Sequence, residues 1–237
     1  MTRSSDAVAA PAVQQVESLG TDGEFRYEIS PDVVAMSETR AAEAEAIRTV
    51  RTHLVARHLQ EGRRSLAICA ASSGAGCTFT AVNLAVALAQ AGVATLLIDG
   101  DLRTPQVDKF IRPLAQRPGL RDCLAVNGPT LSECIHPEVL PNLSILYSGG
   151  AAANPQELLA GETFKRVIDR CLRDFEFTIV DTTAADVGAD ERLEARMVGY
   201  ALIVARTHVS RMSELSTLTT KLQEDGVKVV GTVLNDT

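Results

Sequence analysis

The chain has 237 residues, 46% apolar and 22% charged, with 23 Lys+Arg against 30 Asp+Glu and a net charge of −7. That length suggests one domain, or one domain with an appendage; the composition is too apolar for wholesale disorder, and the acidic balance argues against a protein that grips nucleic acid by general basicity. Aromatics make up 4% and Trp is absent, so Ala, Val, Leu and Ile must build the core, as in α/β proteins with parallel sheets.

Residues 1–35, rich in Ala, Ser, Val and Pro without periodicity, read as a flexible tail, and their first stretch lacks the apolar core of a secretory signal. Residues 36–237 read as the folded unit. A helix is predicted from about Ser37 to Glu61, with Ser37 as N-cap, Gly62 as stop and Ile47, Val50 and Leu54 on one face. A buried strand (Ser65–Ala71), a helix (Thr78–Ala91, stopped by Gly92) and a second strand (Ala94–Asp99) follow. Asn142–Gly149 is a third strand. At Asn154–Leu159 a helix opens, with Asn154 as N-cap, Pro155 in the first position and Glu157 as capping-box acid. The remaining strands are Phe175–Asp181, Tyr200–Arg206 and Val227–Asp236, with a helix at Ser210–Asp225 stopped by Gly226. Short apolar strands alternating with helices predict an α/β fold, a doubly wound and mostly parallel sheet with helices on both faces.

From Ser65 to Ile98 no residue is charged, which is long enough to span a bilayer. The cluster Ser72, Ser73, Gly74 and Gly76 interrupts it, so the stretch reads as strand, loop, helix, strand, and no direct membrane span is expected. The five cysteines, at 69, 77, 123, 134 and 171, are odd in number and without C-x-x-C spacing. They argue against a disulfide framework or zinc site and for a reducing cytosol.

Ligands of open α/β sheets bind beyond the carboxyl ends of the strands. Three strand ends carry suitable groups. Ala71–Thr80, ASSGAGCTFT, lies between a strand and a helix, where glycines curl the backbone into a nest of N–H donors and a Thr can ligate Mg²⁺. Against G-x-x-x-x-G-K-[ST], Gly76 and Thr78 fit, Ala71 takes the first glycine's place and Cys77 the lysine's. Asp99 and Asp101 end a buried strand, and Asp181 ends another; acids there are costly unless they meet a cation or solvent.

With these motifs the chain resembles the bacterial tyrosine kinases of capsule and exopolysaccharide synthesis, a branch of the deviant P-loop ATPases. The family's GEGKST-x-x-x-NLA corresponds to Gly74–Ala85, its LLIDADLR-x-P to Leu96–Pro105, and its Y-D-Y-V-I-I-D-T-P-P to Phe175–Ala185. Its GL-x-x-x-L, NL-x-x-L and NP-x-ELL match Gly119–Leu124, Asn142–Leu146 and Asn154–Leu159, and its G-V-V-L-N matches Gly231–Asn235. The resemblance implies a P-loop NTPase-like fold with an N-terminal helix. It implies that Gly74, Ala75, Gly76, Cys77, Thr78 and Phe79 hold the phosphates of Mg-ATP or Mg-ADP, with Asn235 near the adenine. Thr78, Asp99, Asp101 and Asp181 would surround Mg²⁺, the three acids carrying the chemistry. The family's E-x-x-R-x-x-R helix becomes Glu45, Arg48 and Arg51, which would join subunits of a homo-oligomer; such residues also pair on any solvated helix. The implied setting is cytoplasmic, peripheral to the inner membrane through a membrane co-polymerase (chain-length regulator) on a separate chain.

Three departures temper this. Cys77 offers no cation, and a hydrogen bond to a charged group contributes about 1.5–3 kcal/mol, so nucleotide binding should weaken by roughly one to two decades. Cys77 at a helix N-terminus reads either as a low-pKa, redox-sensitive thiol or as a small residue filling a lysine's space. The family's tyrosine cluster has no counterpart before Thr237, and only Tyr27, Tyr147 and Tyr200 exist, so cluster autophosphorylation is not expected. Ala152–Ala153 and Thr183–Ala184 replace two proline pairs. The expectation is a nucleotide-impaired regulatory partner in polysaccharide assembly. The alternatives are an ATPase or tyrosine kinase completed in trans, or by Arg103 in cis, and last a partitioning-type ATPase, whose additional loop Lys is Ser72 here.

Overall fold

The computed structural model describes residues 14–20 and 23–236. In chain order the elements are β1 (Gln14–Gly20), β2 (Gly23–Ile29), a 3-10 turn (Val34–Met36), α1 (Ala41–Arg57), β3 (Ser65–Ala70), α2 (Cys77–Gln90), β4 (Thr95–Asp99), α3 (Val107–Phe110) and β5 (Ile111–Pro113). Then come α4 (Leu120–Leu124), α5 (Leu131–Cys134), β6 (His136–Leu140), β7 (Leu143–Leu146), α6 (Pro155–Ala160), α7 (Glu162–Asp174), β8 (Phe177–Asp181), α8 (Asp190–Val198), β9 (Tyr200–Arg206), α9 (Met212–Glu224) and β10 (Lys228–Asn235).

Seven strands form the main sheet in the order β10-β9-β3-β8-β4-β7-β6. All pairs are parallel except β6 with β7. The central strands β3, β4 and β8 are buried along their whole length, because helices cover both faces. One core lies between the sheet and α1 and α2; the other lies beneath α4 to α9. α2 is buried over ten of its fourteen residues, as an Ala- and Leu-rich helix trapped between sheet and α1 must be. No helix among the described residues is long and apolar enough to cross a membrane.

The expected tail is corrected by the structure. β1 and β2 pair antiparallel, β2 pairs with β5, and Tyr27, Ile29, Val33 and Val34 are buried in the first core. Tyr27 and Ile29 alternate with Glu28, a strand pattern that the composition of residues 1–35 hid. Residues 1–13 lie outside the described residues.

The first helix is shorter than expected. It begins at Ala41, and Ser37 Oγ accepts from the Arg40 N–H at 3.2 Å ahead of it. It ends where buried His58 turns to the Ser65 carbonyl (Nε2 to O, 2.9 Å), and a 3-10 turn leads to Gly62 at φ +75°. Glu157 does not reach back to the backbone: it accepts from the Asn154 side chain at 2.8 Å.

Candidate functional site

β3 delivers the chain into the loop at Ala71, and α2 carries it away from Cys77. Gly74 and Gly76 hold φ of +76° and +96°, the left-handed region that favours glycine. A Cβ on Gly76 would sit 2.3 Å from Asn235 Nδ2, so the close approach of β10 also demands glycine there. Neighbouring elements grip the loop residue by residue. Ser72 Oγ donates to Glu214 at 3.0 Å, and Ser73 donates to Asp186 through both its N–H and its hydroxyl. The Gly74 carbonyl accepts from Arg206 Nη1 at 3.0 Å, and the Ala75 carbonyl from Asn235 Nδ2 at 3.1 Å.

Beneath the loop lies an acid floor. Asp99 and Asp181 are register partners on β4 and β8 and are almost wholly buried. Asp99 Oδ2 accepts from the Val107 N–H at 3.3 Å, but its Oδ1 and both Asp181 oxygens have no hydrogen-bond partner of normal geometry. Burial, then the charge of Asp181, pushes the Asp99 carboxyl far above the usual range. Burial likewise raises Asp181, and the nearby Thr78 hydroxyl offsets part of this. Asp101 is treated differently. It accepts from the Arg103 and Thr104 N–H groups and from the Thr104 and Thr183 hydroxyls at 2.8–3.0 Å. Behind the floor, α8 buries Asp190, Glu191 and Glu194. Both Glu194 oxygens are unpartnered, and burial followed by the charges of Asp101 and Asp181 raises its carboxyl well above normal.

The loop, Cys77, Thr78, Phe79, Asp101, Thr104 and Thr183 line a cavity of about 190 Å³. That is smaller than sites that enclose a whole ligand, so it suits a phosphate-sized group. Its walls carry no Lys or Arg. Phe79 stacks edge-on with Phe110 at 6.4 Å between ring centroids and makes one wall apolar. Asp99 and Asp181 lie beneath the lining rather than in it. Glu45 is exposed and Arg48 and Arg51 are half-buried on α1, apart from the cavity, and Arg48 pairs with Glu45 at 2.8 Å.

Two expectations are corrected. The Cys77 thiol is not lowered by its helix N-terminus: burial, then Asp181, pushes it well above its ordinary value, so the redox-sensitive reading loses its basis. Arg103 is not a free cation for phosphate, because its Nε (2.5 Å) and Nη2 (3.2 Å) both hold buried Asp190. The sequence reading also missed Thr183, Asp186, Arg206, Glu214 and Glu194. The one signal for them was the bunching of acids at the start of α8; the others come from remote segments.

Among the described residues no three His, Cys, Asp or Glu side chains converge tightly enough to hold a metal alone. Mg²⁺ keeps several waters and takes one or two protein oxygens beside phosphate. Orphaned carboxylate oxygens under a Thr and a backbone nest fit that hydrated ion and not a fully protein-bound one.

Residues 66–237 match the family described as the CobQ/CobB/MinD/ParA nucleotide binding domain. CapB of Staphylococcus aureus, assigned as a tyrosine-protein kinase, is 32% identical over 81% of this chain and 83% of its own length. The tyrosine-protein kinase Wzc of Salmonella typhi is 30% identical over 89% of this chain, which spans only 29% of that protein. Among solved structures, the chimerical protein CapA2B2 superposes with a TM-score of 0.78 at 28% identity, covering 87% of this chain and 90% of its own. The kinase domain of the Escherichia coli tyrosine kinase ETK gives 0.76 at 27% identity, covering 86% and 79%. MinD of Pyrococcus horikoshii, solved with Mg-ADP, gives 0.61 at 20% identity over 73% of this chain and 70% of its own, a likeness of fold alone.

Proposed function

This chain belongs to the CobQ/CobB/MinD/ParA nucleotide-binding family and, within it, to the bacterial tyrosine-protein kinases; from that premise we propose that it serves capsule or exopolysaccharide assembly as a nucleotide-impaired regulatory subunit. It docks in the cytoplasm on a membrane chain-length regulator. The carrying observation is a loop that keeps its glycine geometry and its Mg²⁺-type acid floor while Cys77 stands in the lysine's place. Gly74–Phe79 hold the phosphates, Asn235 stays at the adenine side, and Thr78, Asp99, Asp101 and Asp181 hold hydrated Mg²⁺. When bound, Mg²⁺ neutralises the floor and the phosphates together. No cavity-wall Lys or Arg offsets the remaining phosphate charge, so affinity is low. Tyr27 and Tyr147 are buried with bonded hydroxyls, which speaks against either as a phosphoacceptor. Glu45, Arg48 and Arg51 form the contact between copies.

Calorimetric titration of Mg-ADP and Mg-ATP into wild type and Cys77→Lys tests the reading. Wild type should bind weakly, and Cys77→Lys should bind roughly 10–100-fold tighter, the equivalent of one charge-assisted hydrogen bond. Silence from both proteins would refute nucleotide binding at this loop. For the contact between copies, Arg51→Glu should lower the mass in sedimentation; a wild type that is already monomeric would remove that part.

A further inference from the structure

β9 ends at Arg206 and β10 at Asn235, and these two residues are register partners. The turn beyond Arg206 is tightly built. Val209 and Ser210 donate their N–H groups to the Arg206 carbonyl at 3.1 and 2.9 Å, and Ser210 Oγ accepts from the Arg206 N–H at 3.0 Å. His208 adopts φ +62°, and the Thr207 N–H donates to the Asn235 carbonyl at 3.0 Å. The backbone from which the Arg206 side chain leaves is therefore fixed. Its guanidinium reaches the Gly74 carbonyl while Asn235 reaches the next one, Ala75. Two neighbouring strand ends thus hold two consecutive carbonyls of the phosphate loop.

Glycine crosses freely between left- and right-handed backbone, so the peptides from Gly74 to Gly76, at φ of +76° and +96°, are where this loop deforms readily. The other side chains gripping the loop's start, Glu214 and Asp186, are anionic, and Arg103 is committed to Asp190. We propose that Arg206 is a positioning residue: it holds the Gly74–Ala75 peptide while Asn235 holds the next one, Ala75–Gly76, and together they keep the N–H nest in its anion-receiving shape in a loop without its lysine. A donor nest set before the ligand arrives avoids the ordering penalty at binding.

Cys77, next in the loop, is a native reporter. Cys77 is half-buried in the cavity wall, so its labelling by iodoacetamide at pH 8, located by mass spectrometry, rises above a closed-loop baseline as the loop opens without nucleotide, while Cys69, Cys134 and Cys171 are buried controls for global unfolding. Arg206→Ala should speed Cys77 labelling and weaken Mg-ADP binding, each about tenfold, with the controls still protected. Arg206→Lys, which can still donate to a carbonyl, should restore most of both. Should Arg206→Ala expose the controls, Arg206→Gln, too short to reach Gly74, should speed Cys77 labelling in a folded chain.

Unchanged labelling in a folded Ala or Gln variant would overturn the proposal, and so would a Lys variant that behaves like Ala. Weaker binding with unchanged labelling would also overturn it, and would place Arg206 on the nucleotide instead. The binding readout rests on the proposed function; the labelling does not. Faster labelling beside a wild type that binds no Mg-ADP upholds the clamp and refutes only the nucleotide reading.

Discussion

The mouth of the site and its floor treat polar groups in opposite ways. At the mouth, Ser72, Ser73, Gly74 and Ala75 each meet a side chain at 2.8–3.1 Å, supplied by Glu214, Asp186, Arg206 and Asn235. On the floor, Asp99 Oδ1 and both oxygens of Asp181 and of Glu194 are buried with no hydrogen-bond partner of normal geometry. An unsatisfied buried polar group costs about 1–3 kcal/mol, more when charged. The mouth is therefore complete by itself, whereas the floor is a set of strained acids that a cation would relieve. The fold keeps the strain where the ligand would act and not in the loop that receives it.

Breaking the floor should give the largest effect. Asp181→Asn removes one of two register-paired acids. It should stabilise the metal-free protein by about 1–3 kcal/mol, read by thermal or urea unfolding, because a like charge and a desolvated carboxylate both disappear. On the proposed reading, in which Asp181 helps hold hydrated Mg²⁺, the same variant should weaken Mg-dependent ADP binding by about 10–100-fold. A destabilised variant with unchanged binding would erase the contrast between floor and mouth.

A pH series sharpens it next. Asp99, Asp181, Glu191 and Glu194 all have raised carboxyl values, Glu191 pushed by burial to about 7. The folded chain therefore keeps protons that the unfolded chain has released, so stability falls as pH rises through these values. Desolvation lowers His136 to about 4, with the opposite result: stability is lost as pH falls from about 6.5 toward 4. Above pH 6.5 the acids act without that opposition. The melting temperature of the metal-free protein should fall from pH 6.5 to 8, and Glu194→Gln should flatten the slope. A melting temperature that rises over this window would show that the floor is not strained.

This division explains what could be read from the sequence. β3, β4, β8 and β9 announce themselves because apolar runs buried on both faces need no partner to be recognised, and β9 keeps its expected bounds at Tyr200–Arg206. Gly74, Gly76, Thr78 and the strand-end acids are equally legible, since each occupies a fixed place relative to a strand or helix end. The mouth's partners are not. Asp186, Arg206 and Glu214 reach the loop from more than 110 residues away, and nothing in their own neighbourhoods marks them. The antiparallel additions hid for another reason: β5 has three residues, and β6 contains Pro137 and Glu138 where a strand signal would need apolar alternation.

Two smaller changes separate the floor's one satisfied acid from the mouth. The Thr183 hydroxyl donates to Asp101 at 2.8 Å in a buried setting. Thr183→Ala should cost about 0.5–1.5 kcal/mol in urea unfolding, the net worth of one such bond, and leave Cys77 labelling unchanged. The smallest effect belongs to Asp186. Its carboxylate is exposed and accepts from the Ser73 N–H and hydroxyl, so water replaces it readily once it is gone. Asp186→Asn should change unfolding free energy by less than about 0.5 kcal/mol, as most surface substitutions do. Mg-ADP binding should still tighten slightly, because an anion leaves the entrance through which phosphate passes. If Asp186→Asn instead destabilised the fold as much as Thr183→Ala, the mouth would be part of the stability core, and the contrast with the floor would fail at its weakest contact.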